Sequence, residues 1–381
     1  LKIISIVGAR PNFMKIAPLA QAIERHNARG GVLEHIIVHT GQHYDKRMSE
    51  TFFRELNIPE AKYNLGIGSG SHSEQVGKTM MELEKVLDQE NPDWVIVIGD
   101  VNATLAGSVT AKKMGIKVCH LESGLRSGDM RMPEEINRLV TDRLSDLLLT
   151  PDRISISNLK KEGVHDNRIA FVGNIMIDTL MKHKQRAEEL LTDNILKNNM
   201  LFERPLPDIT KQDYIVVTLH RPSNVDFEQN LSALVEFFQK EVVKDTVILW
   251  PIHPRTLNRL REFNLYDTFT AEANVVLLHP LAYHDMLKLN MNACMILTDS
   301  GGLQEEACVL GIPCLTLRTS TERPITLREN GGASVLVGED IEKLSFEYKD
   351  QRRKTTHSVT PELWDGKTAE RCLEAILQYK D

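Results

Sequence analysis

The chain lacks a basic excess, a long apolar run, paired cysteines and the common nucleotide or metal fingerprints, and each absence removes a class of function. Its 46 Lys and Arg are outnumbered by 53 Asp and Glu, for a net charge of −7. Nucleic-acid binding requires cations that displace phosphate counterions, so no nucleic-acid partner is expected. A mildly acidic protein can still hold an anion locally, through helix N-termini and a few placed cations. No apolar stretch reaches the roughly 20 residues of a membrane span, so no membrane association is expected. The five cysteines (Cys119, Cys294, Cys308, Cys314 and Cys372) are odd in number and form no C-x-x-C. Several lie in apolar runs and read as reduced, buried thiols. There is no G-x-G-x-x-G for a dinucleotide, no H-E-x-x-H for a metal and no G-x-S-x-G for a serine nucleophile. Neither a metal nor a redox cofactor is therefore expected. A strand-like run starts at residue 3 with no leader-like segment before it, and a soluble, cytoplasmic protein is the expectation.

What the chain does have is alternation. At 381 residues, with 41% hydrophobic and 26% charged, it is long enough for two cores. Short β-branched runs at 3–7, 35–39, 94–98, 118–121, 147–149 and 169–172 alternate with helical patterns. The runs are continuously apolar, which indicates parallel strands covered on both faces. The pattern fades across a charged helix and a Pro-rich stretch near 205–208, then restarts at 214–218, 246–250, 275–278, 295–298 and 314–317. The fold class predicted is α/β, with two facing Rossmann-like domains and a ligand cleft between the carboxyl ends of their strands. The first domain is expected over residues 1–172, joined by a C-terminal helix within 366–381, and the second over 173–365.

Polar residues concentrate where these strands should end. Gly8-Ala9-Arg10-Pro11-Asn12-Phe13-Met14-Lys15 puts a glycine turn, a helix-start proline and two cations at the first strand's end; the cations could equally be solvated. Gly99-Asp100 follows the most hydrophobic strand, and Asp100 reads either as a functional acid or as the N-cap of a helix beginning near Ala103. In His120-Leu121-Glu122-Ser123-Gly124-Leu125-Arg126, alternation puts His120 and Glu122 on one face, and a structural Glu122–Arg126 salt bridge is the plain alternative. Pro133-Glu134-Glu135 reads as a helix start whose acids suit the dipole, with a catalytic Glu134 the sharper possibility. In the second half, His220-Arg221 ends a strand, and His253 and His279 stand near neighbouring strand ends. Asp299-Ser300-Gly301-Gly302 runs from a buried strand into a helix, a junction suited to a nucleotide phosphate, and Glu306 lies where it could accept from a ribose. Thr321-Glu322-Arg323-Pro324 could close over a ligand or be a surface loop.

Taken together, these segments resemble the non-hydrolysing UDP-N-acetylglucosamine 2-epimerases, which have the glycosyltransferase-B fold. The matching pieces are Gly8-Ala9-Arg10-Pro11 with Lys15, Gly41-Gln42-His43, Gly99-Asp100, His120 to Arg126, Pro133-Glu134-Glu135-Ile136-Asn137-Arg138, His220-Arg221, residues 299–306, Thr321-Glu322-Arg323-Pro324 and Asp365-Gly366, in family order. The resemblance implies that Arg10, Ser300, Gly301, Gly302 and Glu306 contact UDP. It places Lys15, Asp100, Glu122, Glu134 and His220 in the catalytic centre, Arg138, Glu322 and Arg323 among substrate or loop contacts, and Gln42 and His43 where some members bind a second, activating UDP-sugar. It also implies a homodimer and a cofactor-free reaction that eliminates UDP as the C2 proton leaves, then re-adds it. Asn12 stands where the family usually has glutamate, and Pro222-Ser223-Asn224 where many members keep arginine and glutamate. A relative acting on a UDP-diacetamido uronic acid would look similar, as would a glycosyltransferase of this fold or a hydrolysing epimerase in part.

Overall fold

The computed structural model describes residues 1–8, 10–41, 58–209, 211–353 and 358–380. They divide into two compact units, Leu1–Lys182 with Glu362–Asp381, and His183–Pro361.

In the first unit seven parallel strands form one sheet: β1 Lys2–Val7, β2 Glu34–His39, β3 Tyr63–Asn64, β4 Trp94–Ile98, β5 Lys117–Leu121, β6 Leu147–Thr150 and β7 Ile169–Phe171. Their order is β3-β2-β1-β4-β5-β6-β7. All five residues of β4 are buried, the continuous pattern of a strand covered on both faces. Each such Val or Ile contributes about 1.5–3 kcal/mol of burial. One face packs Ile4, Ile6, Val95 and Val97 against Leu83 and Leu87 of the helix His72–Glu90. That helix is started by a capping box in which Ser71 and Glu74 satisfy each other's backbone N–H. The sheet order reverses between β1 and β4, so the loops after these two strands flank the crevice where doubly wound sheets bind ligands.

The second unit repeats the plan with six parallel strands: β8 Tyr214–Thr218, β9 Val247–Pro251, β10 Val275–Leu278, β11 Met295–Thr298, β12 Cys314–Thr316 and β13 Ser334–Leu336, in the order β10-β9-β8-β11-β12-β13. Its switch point lies between β8 and β11. Trp250, Phe238 and Phe269 are fully buried on one face.

The chain leaves the first unit inside the helix Ile175–Glu188, beyond the expected division at 172/173. The physical reason is that the helix's first turns belong to the first core: Ile175, Ile177 and Leu180 are fully buried, and the Thr179 hydroxyl donates to the Met14 carbonyl at 2.6 Å. The terminal helix Thr368–Gln378 returns to the same place. Asp178 accepts from the backbone N–H groups of Thr368 and Ala369 at 3.0 and 2.7 Å, which caps that helix from a distant part of the sequence. All five cysteines are free thiols, and burial pushes the Cys119 thiol up. Among the described residues no helix is long and apolar enough to cross a membrane.

Candidate active site

In the first unit the loops after β1, β4 and β5 converge on a buried ion pair. Asn12 ties two of them, accepting from Gly8 N–H at 3.0 Å and donating to the Ile98 carbonyl at 3.1 Å. One turn on, Lys15 Nζ donates to Glu122 Oε2 at 2.5 Å, with both side chains over nine-tenths buried. Gly99 makes room for them: at φ +66° its missing Cβ would stand 3.3 Å from Lys15 Nζ and 3.5 Å from Glu122 Oε2. Glu122 itself has φ +71°, a left-handed conformation that a side-chain-bearing residue adopts at a cost of about 1–3 kcal/mol. Its other oxygen, Oε1, is buried with no hydrogen-bond partner among the described residues. A strained carboxylate with one oxygen anchored and one unsatisfied is arranged for use rather than for stability.

Asp100 is held from the opposite side. It does not cap the following helix, as one reading of the sequence expected: the N-cap of Asn102–Lys113 is Val101, with no side-chain cap. Arg138 takes the Asp100 carboxylate instead, and Asn137 donates to the Asp100 carbonyl at 2.8 Å. Arg138 is 1% exposed and also grips Glu135 Oε2 through Nε and Nη2 at 2.9 and 2.5 Å. Burial works to raise Glu135, but the Ser127 and Gly128 N–H donors and Arg138 outweigh it and hold the carboxyl below its ordinary value. Glu134, beside it in the first turn, is half-buried and makes no hydrogen bond or ion pair among the described residues.

The Glu122–Arg126 bridge does not form. Arg126 pairs with Asp142 and Glu162, each at 2.7 Å, while Glu122 turns to Lys15. Nor do His120 and Glu122 share a strand face. β5 ends at Leu121, and the left-handed backbone at Glu122 breaks the alternation.

The second unit carries a complementary set at its own switch point. Asp299, fully buried, accepts from His220 N–H at 3.0 Å, Arg221 N–H at 2.8 Å and Asn224 Nδ2 at 3.0 Å. Its burial alone would raise the carboxyl, yet His220 and these donors hold it below the ordinary value. His220 Nδ1 lies 3.0 Å from Asp299 Oδ1, which fixes the ring and leaves Nε2 to act outward. The His253 ring stands 5.6 Å from that of His220, whereas His279 is exposed and makes a backbone bond to Asn199.

Ser300 is the N-cap of the helix Gly301–Leu310 and makes no side-chain cap, so the positive helix end keeps free N–H donors. Open space surrounds the missing Cβ of Gly302, while that of Gly301 would press 2.7 Å from Glu322 Oε1. The 319–324 segment is not a surface loop. Thr321, Glu322 and Arg323 are all under one-tenth exposed, and Arg323 Nε meets Glu305 Oε1 at 2.6 Å. Glu322 lies between Arg318, at 2.7 Å, and Arg323. Although burial works to raise it, the two guanidinium groups hold its carboxyl far below the usual range. Glu306, fully enclosed in the helix, is the opposite case: burial, only partly offset by Asn290 and Tyr283, pushes it up to about 7.

The structure thus brings Lys15, Asp100, Glu122, Glu134 and Arg138 to one switch point. It brings His220, Ser300, Gly301, Gly302, Glu322 and Arg323 to the other, with Glu306 one turn deeper. Arg10 begins the helix Arg10–Ala28, but its side chain lies outside the described residues, as do Gln42 and His43. Asp142, Glu305 and Arg318 were not foreseen. An acid or arginine inside a helix or strand end reads as solvated until its partners are known. Among the described residues, no group of three or more His, Cys, Asp or Glu could hold a metal ion.

The model of the family described as UDP-N-acetylglucosamine 2-epimerase matches residues 24–377. The chain belongs to the UDP-N-acetylglucosamine 2-epimerase family. It is 43% identical, over 100% of its length and 99% of the relative's, to a UDP-N-acetylglucosamine 2-epimerase of Methanocaldococcus jannaschii. A crystal structure of the UDP-GlcNAc 2-epimerase of that organism, in complex with UDP-GlcNAc and UDP, superposes with a TM-score of 0.87 at 42% identity and covers 100% of both chains. A UDP-2,3-diacetamido-2,3-dideoxy-D-glucuronate 2-epimerase of Pseudomonas aeruginosa is 39% identical over 89% of this chain and 88% of its own. The two Rossmann-like units are of the glycosyltransferase-B type, and the enzyme is an epimerase.

Proposed function

We propose that the chain interconverts UDP-GlcNAc and UDP-ManNAc without hydrolysis. A base removes the C2 proton, the C1–O bond breaks, and UDP leaves with the bonding pair, giving a bound 2-acetamidoglucal. A proton then arrives at C2 from the other face, and UDP re-adds at C1. The observation that carries this reading is Glu122, with its strained backbone, its Lys15-anchored oxygen and a second buried oxygen that has no partner among the described residues.

C2 inversion needs proton-transfer groups on two faces of the sugar. Glu122, Asp100 and Glu134 supply them, arriving from β5, β4 and a helix N-terminus. Lys15 keeps Glu122 oriented, and Arg138 does the same for Asp100. The departing diphosphate is stabilised by Arg10, by His220 Nε2 and by the free N–H groups after Ser300, with Glu322 and Arg323 fixing Gly301 beside them. Glu306 receives the ribose. Gln42 and His43 form a second UDP-sugar site that activates the enzyme. The working form is a cytoplasmic homodimer; Ile136 and Val140, exposed one turn apart on the helix Pro133–Leu144, are apolar surface that a second copy would cover.

The test is product analysis by NMR on UDP-GlcNAc with no acceptor sugar, beside UDP-2,3-diacetamido-glucuronate. UDP-ManNAc formed from the first substrate is expected. Free N-acetylmannosamine plus UDP, or turnover of the uronate alone, would overturn the proposal.

A further inference from the structure

One buried carboxylate in the first unit touches none of the groups assigned above, yet its partners bracket Glu122 on both sides. Asp142 lies near the end of the helix Pro133–Leu144 and is 1% exposed. One of its oxygens meets His120 Nδ1 at 2.6 Å, two residues before Glu122. The other accepts from Gly124 N–H at 3.0 Å, two residues after it. His120 reaches onward: its Nε2 lies 2.8 Å from the Gly99 carbonyl, the residue before Asp100. Gly124 is fixed too, at φ +80° with its missing Cβ 2.5 Å from the Ser155 carbonyl oxygen, and Asn158 Nδ2 donates to the Gly124 carbonyl at 3.0 Å.

We propose that Asp142 is the positioning residue of the catalytic centre. It ties the His120 side chain before Glu122 to the Gly124 backbone after it, which holds Glu122 in its left-handed turn, and through His120 it holds the Gly99-Asp100 peptide in register.

The chemistry of the contacts supports this. A left-handed Glu persists only where the surroundings over-determine it, and Glu122 sits between the two residues that this one carboxylate bonds. The charged groups facing Asp142 are His120 and Arg126, and Arg126 is itself shared with Glu162. Burial works to raise the Asp142 carboxyl, but its contacts with His120 and Arg126 outweigh it and keep the group below its ordinary value. Both oxygens therefore accept, and His120 donates from Nδ1. A side chain with no polar group cannot replace the carboxylate, because His120 Nδ1 and the Gly124 N–H would both be left buried without their partner.

The proposal uses the epimerase reading for its assay, and the wild-type enzyme separates the two: if wild type does not epimerise, that reading fails first. With wild-type turnover in hand, Asp142→Ala is expected to lower kcat about 100-fold, the scale of an ångström-sized misplacement. KM and UDP affinity should stay within about threefold, because Asp142 bonds none of the groups assigned to the diphosphate. His120→Gln should give a similar loss. The double variant should lose no more than the worse single one, because both changes cut the same link. Losses that multiply, or a kcat near wild type, would overturn the assignment. Because a variant can fail to fold, wild type also carries a test: a slowly exchanging His120 Nδ1 proton in 15N-edited NMR is expected, and its absence refutes the link.

Discussion

Glu306→Gln tests how the second unit tolerates a buried carboxyl in its proposed nucleotide site. The Glu306 carboxyl titrates at about 7, against 4.5 for an unburied glutamate, because its surroundings offer the charged form little solvation. At about 1.4 kcal/mol per tenfold change in proton affinity, that difference corresponds to about 3 kcal/mol. The folded unit holds the proton more tightly than the unfolded chain. Its contribution to stability is therefore fully present below pH 4.5 and is lost as pH rises through 7. Glutamine has no proton to lose and can still accept from Asn290. The wild-type minus variant difference in unfolding free energy should thus fall by about 3 kcal/mol between pH 4.5 and 8. Urea titrations followed by fluorine NMR of 5-fluorotryptophan suit the purpose, because the chain has three tryptophans and only Trp250 belongs to the second unit. A difference that stays flat within about 0.5 kcal/mol over this range would show that burial does not govern Glu306.

Two further substitutions separate chemistry from scaffolding. Glu122→Gln should lower turnover about a thousandfold or more while UDP affinity, measured calorimetrically, hardly changes; near-normal turnover would reduce Glu122 to a structural role. Gly173→Ala should destabilise the first unit by about 3 kcal/mol, since the residue sits at φ +89° and a Cβ would stand 2.1 Å from the Leu363 carbonyl oxygen. The Trp364 fluorine signal reports this unit, and an unchanged urea midpoint would contradict the predicted clash.

Much of the scaffold was legible because continuous β-branched runs leave little choice of structure. The run 94–98 is β4 residue for residue, and 214–218, 275–278 and 295–298 are β8, β10 and β11. β3 escaped notice because a strand of two residues carries no pattern of its own; β13 is no shorter than β7 and β12, which were foreseen, and was missed although Val335, Leu336 and Val337 are apolar. The candidate site was legible as positions but not as partnerships. Asp100 looked like a helix cap because a helix was expected to begin near Ala103, whereas its true partner, Arg138, is 38 residues away. Glu122 had a nearby arginine at 126, but its ion pair is with Lys15, 107 residues distant. Local spacing offers the nearest opposite charge, while the fold decides by which loops meet at a switch point. Asp142 was invisible for a related reason, since an acid inside an amphipathic helix reads as part of its wet face until the neighbouring strand end is in place.

The central claim is that C2 loses and regains a proton while UDP leaves and returns, and incubation with UDP-GlcNAc in heavy water tests it most directly. The account predicts deuterium at C2 of UDP-ManNAc, with UDP still attached. Epimerised product carrying only protium at C2 would contradict it.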